Sequence, residues 1–444
     1  MSETAREIEL AAQAWLAGHL PRLEPSERSG AVLRTEGELI TASNLAVPIG
    51  SRCTIATRVG PIGAEVVGFD GRLTLLMADR SLKGLQRGNR VTAVPGGVSV
   101  TVGAGLLGRV LDAYGNPLDD RPPPATGQSW PLEGVPINPM HRQRLTQPLD
   151  VGVRALNGLT TLGLGMRTGL FAGSGVGKST LLGMIARHAK VDCCVLAMIG
   201  ERGREVREFI DDHLGEALAR SVVVVSAADT PPLARMLGAQ RAASIAEGFR
   251  AEGRNVLLLV DSLTRLAMAG REIGLSVGEP AATRGYPPSV FAKLASYVER
   301  AGMGGPGQGS ITGLYTVLVE GDDHVGDPVA DTARSVLDGH VVLSRRMSEA
   351  GIYPPVDISM SLSRPMPSLV ERDHNAAAMR FRFLWSRLQE KRELVDIGAY
   401  APGRDTVLDD ALARAPQMEA FLRQGSHENI PLGDAEARLR EILS

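Results

Sequence analysis

Residues 170–180 read LFAGSGVGKST and predict a loop that binds phosphate groups. A short apolar run leads into a glycine-rich turn, and the apolar run 181–186 that follows is typical of a helix. A strand, a glycine-rich loop and a helix in this order form a P-loop. Glycines let successive backbone N–H groups point at a polyphosphate, and the positive end of the helix adds to that field. The sequence therefore predicts a nucleotide-binding loop.

One loop position departs from the usual pattern G-x-x-x-x-G-K-[ST], because Ala172 stands at the first glycine. We interpret this as a tolerable change at the strand exit, since three glycines follow it. Lys178 is expected to reach the β- and γ-phosphates of ATP, and the Ser179 hydroxyl is expected to hold Mg²⁺. The predicted nucleotide-binding residues of the loop are Gly173, Ser174, Gly175, Val176, Gly177, Lys178, Ser179 and Thr180.

Around the loop, residues 150–365 alternate aliphatic runs with helical patterns. Near-continuous aliphatic runs are typical of a mostly parallel sheet that is covered on both faces. We therefore predict an α/β P-loop core over residues 96–370. Three helical patterns follow it and predict a C-terminal helical domain over residues 371–444.

The N-terminal quarter has a different pattern. Short β-rich runs separated by Gly, Asn, Asp and Pro predict a small β-barrel over residues 26–95. Residues 1–25 predict an amphipathic helix, which either packs on its own domain or docks to a partner or a membrane surface. At 444 residues the chain is long enough for two to three domains.

Composition excludes several function classes. The net charge of −2 argues against a dedicated nucleic-acid binder, which usually carries a basic excess. Three cysteines are too few for a disulfide framework and fit a reducing cytoplasm. The adjacent Cys193 and Cys194 are either a redox pair or, as we favour, buried strand residues. The sequence contains no run of 18 apolar residues, so it predicts no membrane-spanning helix.

Hydrolysis needs acidic groups beside the loop. Asp261 ends the aliphatic run VLLLVD, so it is expected at the tip of a strand near the P-loop, where it would hold the Mg²⁺ water shell or cap the next helix. Glu201 follows another strand and could polarise the attacking water, with Glu205 supporting the Mg²⁺ shell. Arginines alternate with these two glutamates, so the alternative to a catalytic role is a solvated cluster of charged side chains. Arg364 is either a surface charge or an arginine finger, and its spacing alone does not decide.

These segments together resemble the hexameric rotary ATPase family of the ATP synthase α and β subunits. The resemblance covers nearly the whole chain and rests on motifs in the family's order: LLGRVLDAYGNPLD (106–119), AGSGVGKS (172–179), IGERGREV (199–206), LLLVDSLTR (257–265) and PPVDISMSLSR (354–364). It implies a RecA-like core between a barrel and a helical domain.

The resemblance also implies roles for single residues. Glu201 matches the catalytic glutamate, and Arg202 follows it as in catalytic subunits. Arg250 resembles the arginine that approaches the γ-phosphate, Tyr353 the aromatic that stacks on adenine, and Arg364 the finger that acts on the neighbouring subunit's nucleotide. Because one chain carries both the glutamate and the finger, the resemblance implies a homohexamer with a site at each subunit boundary.

Within this family, residues 278–294, 321–345 and 394–405 resemble the type III protein-export branch, and its flagellar members most of all. That resemblance implies an ATPase at the inner face of the cytoplasmic membrane. The implied partners are a dimeric regulator at the N-terminal helix, a coiled-coil stalk protein, an export gate, and export substrates with their chaperones. No nucleic-acid partner is expected.

Four alternatives remain. The virulence injectisome ATPase shares these core motifs. An ATP synthase subunit is disfavoured because one chain carries both the finger and Glu201. The C-terminal region also shows no counterpart of the acidic loop of the ATP synthase β subunit. An RNA translocase like Rho needs basic and aromatic contacts, whereas Phe69 is the only aromatic residue in 26–95. A non-catalytic nucleotide sensor would bind ATP without turnover.

Overall fold

A computed structural model describes residues 28–43, 45–95, 98–124, 127–319 and 326–444 of the chain. The predicted N-terminal helix lies outside the described residues. Contacts divide the chain into two compact units, residues 1–97 and residues 98–444. Each unit is described by itself.

The first unit contains a closed six-stranded barrel, as the strand pattern predicts. Its strands are β1 (Ser29–Glu36), β2 (Leu39–Ser43), β3 (Arg52–Ile55), β4 (Ile62–Asp70), β5 (Leu73–Ala78) and β6 (Arg90–Ala93). They close antiparallel in the order β1-β2-β5-β4-β3-β6. Side chains alternate along β4, so Ile62, Ala64 and Val66 are buried while their neighbours are partly exposed. This alternation fills the barrel with aliphatic side chains.

The second unit is built on a nine-stranded sheet, which confirms the predicted α/β class. The strands of this unit are β7 (Ser99–Val102), β8 (Arg109–Asp112), β9 (Gln128–Pro131), β10 (Pro148–Leu149), β11 (Leu162–Gly163), β12 (Arg167–Ala172), β13 (Cys193–Ile199), β14 (Ser221–Ser226), β15 (Asn255–Asp261), β16 (Gly302–Met303), β17 (Ser310–Leu318), β18 (Gly339–Leu343) and β19 (Val356–Ser363). The sheet order is β19-β18-β12-β17-β15-β13-β14-β8, and β16 pairs beside β17. Separate two-stranded sheets form from β7 with β9 and from β10 with β11.

All pairings from β18 to β8 are parallel, whereas β19 runs antiparallel to β18. Cys193 and Cys194 are buried in β13, as the apolar run around them predicts. Several short strands of this unit were not predicted. Among them β8 joins the edge of the central sheet, although its segment reads as a connection between domains. Its four residues are too few to give a distinct strand pattern.

The helices of this unit are α1 (Arg154–Leu159), α2 (Lys178–His188), α3 (Gly203–Glu208), α4 (Pro232–Ala251), α5 (Leu263–Ser276), α6 (Pro288–Glu299), α7 (Pro328–Val336), α8 (Arg345–Glu349), α9 (Met366–Leu369), α10 (Arg372–Asp396), α11 (Thr406–Leu422) and α12 (Leu432–Leu443). A π-helical turn, Phe209–Leu214, and short 3-10 turns complete the unit. The three predicted C-terminal helices are α10, α11 and α12, and they share one apolar core with the sheet. No helix in the described ranges is both long and apolar enough to cross a membrane.

The parallel strands give the sheet two chemically distinct edges. The carboxyl ends of β12, β13, β15 and β17 meet at one edge, which we call the P-loop edge. Their amino ends meet at the other, the opposite edge. Because β19 is antiparallel, its last residue, Ser363, pairs with Gly339 at the start of β18. The residue after β19 therefore lies at the opposite edge.

Candidate active site

The P-loop connects β12 to α2 with the geometry that its glycines predict. Gly175 has a φ of 74° and Gly177 a φ of 103°, a left-handed conformation that favours glycine. Gly177 is the N-cap of α2, and Lys178 is the first helical residue. Ser179 and Thr180 follow, partly buried, in the first helical turn. The loop thus presents backbone N–H groups and the positive end of α2 on one side.

Three charged side chains meet beside this loop. The Lys178 Nζ lies 2.5 Å from the Asp261 Oδ1 and 3.4 Å from the Glu201 Oε1. All three side chains are largely buried. Burial alone would lower the pKa of Lys178, but the two carboxylates outweigh it and raise the pKa. The lysine therefore stays charged at neutral pH.

Glu201 is the acid whose protonation is most perturbed. Burial raises the pKa of Glu201 to about 7, and the negative charge of Asp261 adds to the effect, while Lys178 opposes it. A carboxyl group with a pKa near neutrality can both hold and release a proton in the physiological range. This environment favours an acid–base role for Glu201 over a solvated charge cluster.

Asp261 ends β15 at the P-loop edge and accepts a hydrogen bond of 2.7 Å from the Thr316 Oγ1 of β17. The following helix, α5, is capped by Ser262, whose hydroxyl accepts from the Arg265 backbone N–H at 3.2 Å. Ser262 therefore fills the capping role that the sequence left open for Asp261. The Asp261 carboxylate is thus left to face Lys178.

Glu205 and Arg202 lie at the rim of this cluster. Glu205 is in the first turn of α3 and hydrogen-bonds the Glu201 carboxyl, which also raises the pKa of Glu201. The Arg202 guanidinium is 3.6 Å from the Glu205 carboxylate, and its side chain is 77% exposed. Within one subunit, Arg202 therefore points to solvent. No group of three or more His, Cys, Asp and Glu side chains in the described ranges forms a metal cage.

Tyr353 lies on a segment that packs beside the P-loop. The Pro355 ring is in van der Waals reach of Gly177, and the Tyr353 ring is half exposed. The Ser348 hydroxyl donates to the Tyr353 hydroxyl at 3.0 Å. The structure therefore brings an accessible aromatic ring to the side of the loop.

Two residues that the sequence reasoning missed hold this segment and the loop in place. The Arg345 guanidinium donates to the Ser174 carbonyl at 3.1 Å. The Gln424 backbone N–H donates to the Tyr353 carbonyl at 2.7 Å. The buried Gln424 side chain also donates to the Gly152 carbonyl at 2.8 Å. Both residues are remote from the loop in sequence, so no local pattern could have indicated them.

Arg265 was also missed. Its Cβ and Cγ atoms pack against Gly200, directly before Glu201, and its Nε is buried without a hydrogen-bond partner among the described residues. The signal was present in the sequence, since Arg265 lies four residues after Asp261, in the first turn of α5. A buried, unpaired guanidinium nitrogen beside the acid cluster is suited to a phosphate.

Arg250 requires a correction. The resemblance implied a contact with the γ-phosphate, but the structure places Arg250 at the C-terminal end of α4, just before β15 begins. That position is at the opposite edge, and the Arg250 Nη1 donates to the Arg300 carbonyl at 2.8 Å. Because α4 runs antiparallel to the strands, its last turn cannot reach the P-loop of its own subunit.

Arg364 also lies at the opposite edge. Its guanidinium donates to the carbonyls of Leu337 at 2.9 Å and Arg334 at 3.0 Å, at the C-terminal end of α7. The side chain is exposed. A strand of six residues is about 20 Å long, so Arg364 is separated from the P-loop by the length of the sheet. Any contact of Arg364 with a bound nucleotide therefore has to be made with another copy of the chain.

A P-loop with a buried lysine, a strand-end aspartate and a glutamate of raised pKa defines the class of P-loop nucleotide hydrolases. The model of the ATP synthase alpha/beta family, nucleotide-binding domain, matches residues 152–363, and the model of the T3SS EscN ATPase C-terminal domain matches residues 370–441. The chain belongs to the ATP synthase α/β family, as an ATPase of its type III secretion branch.

Relatives of known name agree with this placement. The chain is 52% identical to the flagellum-specific ATP synthase of Pseudomonas aeruginosa over 94% of this chain and 93% of the relative. It is 51% identical to that of Salmonella typhimurium, over 92% of each. The type 3 secretion system ATPase of Xanthomonas euvesicatoria is 45% identical, over 92% of each.

Solved structures give the same fold. The assembled ATPase EscN of the enteropathogenic E. coli type III secretion system superposes with a TM-score of 0.88 at 39% identity, over 94% of this chain and all of the other. EscN in complex with its central stalk EscO superposes with a TM-score of 0.85 at 38% identity, over 94% and 100%.

Proposed function

We propose that this chain hydrolyses Mg-ATP to energise export of flagellar proteins by a type III system. The observation that carries this proposal is the identity of 51–52% to two flagellum-specific relatives, combined with the complete Lys178, Glu201 and Asp261 cluster. The injectisome reading rests on the 45% identity to a type 3 secretion system ATPase. It stays the second candidate.

In this proposal the P-loop binds the phosphates through its backbone N–H groups, and Lys178 neutralises their charge. ATP then replaces the carboxylates as the partner of Lys178. Glu201 in its ionised form orients and polarises the attacking water and accepts its proton. Arg265 would stabilise the charge on the transferring phosphoryl group, and Tyr353 would stack on the adenine.

The donor set fits Mg²⁺. A hydroxyl and a carboxylate are hard oxygen ligands, and Mg²⁺ in such sites is completed by phosphate oxygens and water rather than by a protein cage. We propose that Ser179 and Asp261 hold the ion, with Glu205 in reach of its water shell. The ion would supply charge neutralisation at the β- and γ-phosphates.

The separation of Arg364 from its own P-loop supports a ring in which each subunit completes its neighbour's site. We propose a homohexamer, since one chain carries both the glutamate and the finger and would close a head-to-tail ring by itself. Its relative EscN is described as assembled, and EscN binds a central stalk, EscO. A coiled-coil stalk protein is therefore the first partner we propose for this chain.

We further propose contact with the cytoplasmic membrane and with a dimeric regulator through residues 1–25, which are outside the described ranges. Delivery of export substrates and chaperones to an export gate would follow from that position. Pull-down of a dimeric regulator by the full chain, and its loss on deletion of residues 1–25, would test this part.

The experiment that tests the function is a strain that carries only the Glu201→Gln protein, assayed for swimming, filament assembly and secreted proteins. Loss of filaments with other secretion intact is the expected result. Normal motility with lost effector secretion would move the protein to an injectisome. Glu208→Gln, in the exposed last turn of α3, is the matched control.

A further inference from the structure

A cavity of about 460 Å³ lies at the opposite edge of the sheet, away from the P-loop. Its wall contains four arginines from four different segments: Arg142, Arg167, Arg250 and Arg300. Four cations around one cavity repel each other unless acids compensate them. The ion-pair partners of each arginine therefore show which positive charge is not compensated.

Three of the four arginines have acidic partners: Arg300 with Glu247 at 2.8 Å, Arg167 with Asp338 at 3.1 Å, and Arg142 with Glu299 at 3.6 Å. The Glu247 carboxylate is already engaged three times, because it also accepts a second bond from Arg300 at 3.1 Å and one from the Trp130 indole at 3.0 Å. It has little capacity left for a further cation.

Arg250 is the exception. It is 3% exposed, and its only side-chain hydrogen bond to a described residue goes to the Arg300 carbonyl. No described carboxylate lies within ion-pair distance of it. Burial lowers the pKa of Arg250, Glu247 opposes this, and the nearby Arg142 and Arg300 add to the lowering, so that the pKa is about 10. A buried guanidinium with unused N–H donors on a cavity wall is costly unless an anion enters.

We propose that this cavity is a binding site for an oxyanion, a carboxylate or a phosphate group, held by Arg250. The guanidinium fork matches either group in a bidentate contact. Two sources can supply the anion: a free anion in solution, or a carboxylate of the neighbouring copy of this chain.

The second source rests on the proposed ring. Arg167, on the cavity wall, binds the Asp338 carboxylate, and the Arg364 backbone N–H donates to the Asp338 carbonyl at 3.2 Å. The cavity wall is therefore linked by hydrogen bonds to the segment that carries the proposed finger. In a head-to-tail ring this segment faces the P-loop edge of the next copy.

The first arm of the test asks whether a free anion binds and raises the melting temperature. The full chain carrying Lys178→Ala, which weakens phosphate binding at the P-loop equally in every sample, is melted with inorganic phosphate or with chloride of equal ionic strength. Phosphate in tenfold excess over its dissociation constant should raise the Tm by about 2 °C. Arg250→Gln should lose this shift, and Arg404→Gln, at an exposed turn, should keep it.

The second arm of the test asks whether a carboxylate of the neighbouring copy binds Arg250, and it measures assembly of the chain. Assembly of otherwise native chain with Mg²⁺ and a slowly hydrolysed ATP analogue is followed by mass photometry across protein concentrations. If the neighbour supplies the carboxylate, Arg250→Gln should raise the concentration for half-assembly at least about tenfold. Arg250→Lys keeps the positive charge, so its concentration for half-assembly should lie between those of wild type and Arg250→Gln. An intermediate value shows that the loss in Arg250→Gln is not caused by misfolding.

A deficit of Arg250→Gln in either arm supports the site and identifies the source. Wild-type behaviour of Arg250→Gln in both arms would overturn it. So would a phosphate shift that appears only after Glu133→Gln, because Glu133, also on the wall, would then be the internal partner of Arg250. Failure of wild-type chain to assemble would overturn the proposed ring and leave the phosphate arm valid.

Discussion

The two edges of the central sheet differ in how their charges are balanced. At the P-loop edge, Lys178 is held between Asp261 and Glu201, so the cluster is internally compensated before a nucleotide enters. At the opposite edge, Arg250 and Arg364 satisfy N–H groups only with backbone carbonyls of the described residues. The charges of the P-loop edge are therefore balanced within the chain, whereas these two arginines of the opposite edge have no acidic partner among the described residues.

The largest expected effect tests whether Arg364 serves another subunit. Arg364→Ala should lower kcat at least about a thousandfold, because an arginine finger stabilises charge that exists only in the transition state. Mixed rings of Arg364→Ala and Glu201→Gln chains should recover part of the turnover, since some interfaces then pair an intact finger with an intact glutamate. ATPase assays across mixing ratios measure this.

Rings must be confirmed at each ratio, and Arg372→Ala, at the exposed start of α10, is the matched control. If mixtures never exceed the average of the two variants, the finger does not act between copies. The comparison of the two edges would then lose its functional meaning.

The next effect tests the compensated edge. Glu201→Gln should retain ATP binding but lose turnover by about 10²–10⁴-fold, because an amide cannot accept the proton of water. Nucleotide binding by fluorescence titration and phosphate release by a coupled assay separate the two. Turnover within a few-fold of wild type would remove Glu201 from the catalytic role, and Glu208→Gln is the control for charge alone.

The sequence predicted the P-loop edge well because its signals are local. Glycines that need a positive φ, a strand-end aspartate and a helix-starting lysine all lie within short segments whose pattern indicates their position. The opposite edge was predicted poorly. Arg250 received a role from the resemblance alone, whereas its actual surroundings depend on α4 running back along the sheet. Gln424 and Arg345 act across more than 70 and 170 residues of sequence, respectively, so only the folded chain brings them to their partners.

The raised pKa of Glu201 predicts a pH dependence at the P-loop edge. The base must be ionised in the free enzyme, so kcat/KM should rise about tenfold between pH 6 and pH 8, with a midpoint near 7. Burial and the charge of Asp261 raise this pKa, and Glu205 adds to them. Glu205→Gln should therefore move the midpoint to lower pH. A pH–rate profile with an unmoved midpoint would contradict the assignment of Glu201 as the titrating group.

The smallest effect concerns the link between the P-loop edge and the C-terminal helices. Gln424 follows α11 directly and holds the Tyr353 carbonyl through its backbone, while its side chain ties Gly152 at 2.8 Å and accepts from the Arg154 N–H at 2.7 Å. Gln424→Ala should loosen the Tyr353 segment and raise KM for ATP about three- to tenfold, with little change in kcat, because three side-chain hydrogen bonds, to Gly152, Arg154 and Glu428, are lost.

Because the loosened segment carries the proposed adenine contact rather than the phosphate contacts, the same variant should discriminate less between ATP and GTP. Gln417→Ala, on the exposed face of α11, is the matched control. A fall in kcat with unchanged KM would instead place Gln424 in the coupling between the helices and the acid cluster. The P-loop edge would then depend on the C-terminal helices for ATP hydrolysis as well as for ATP binding.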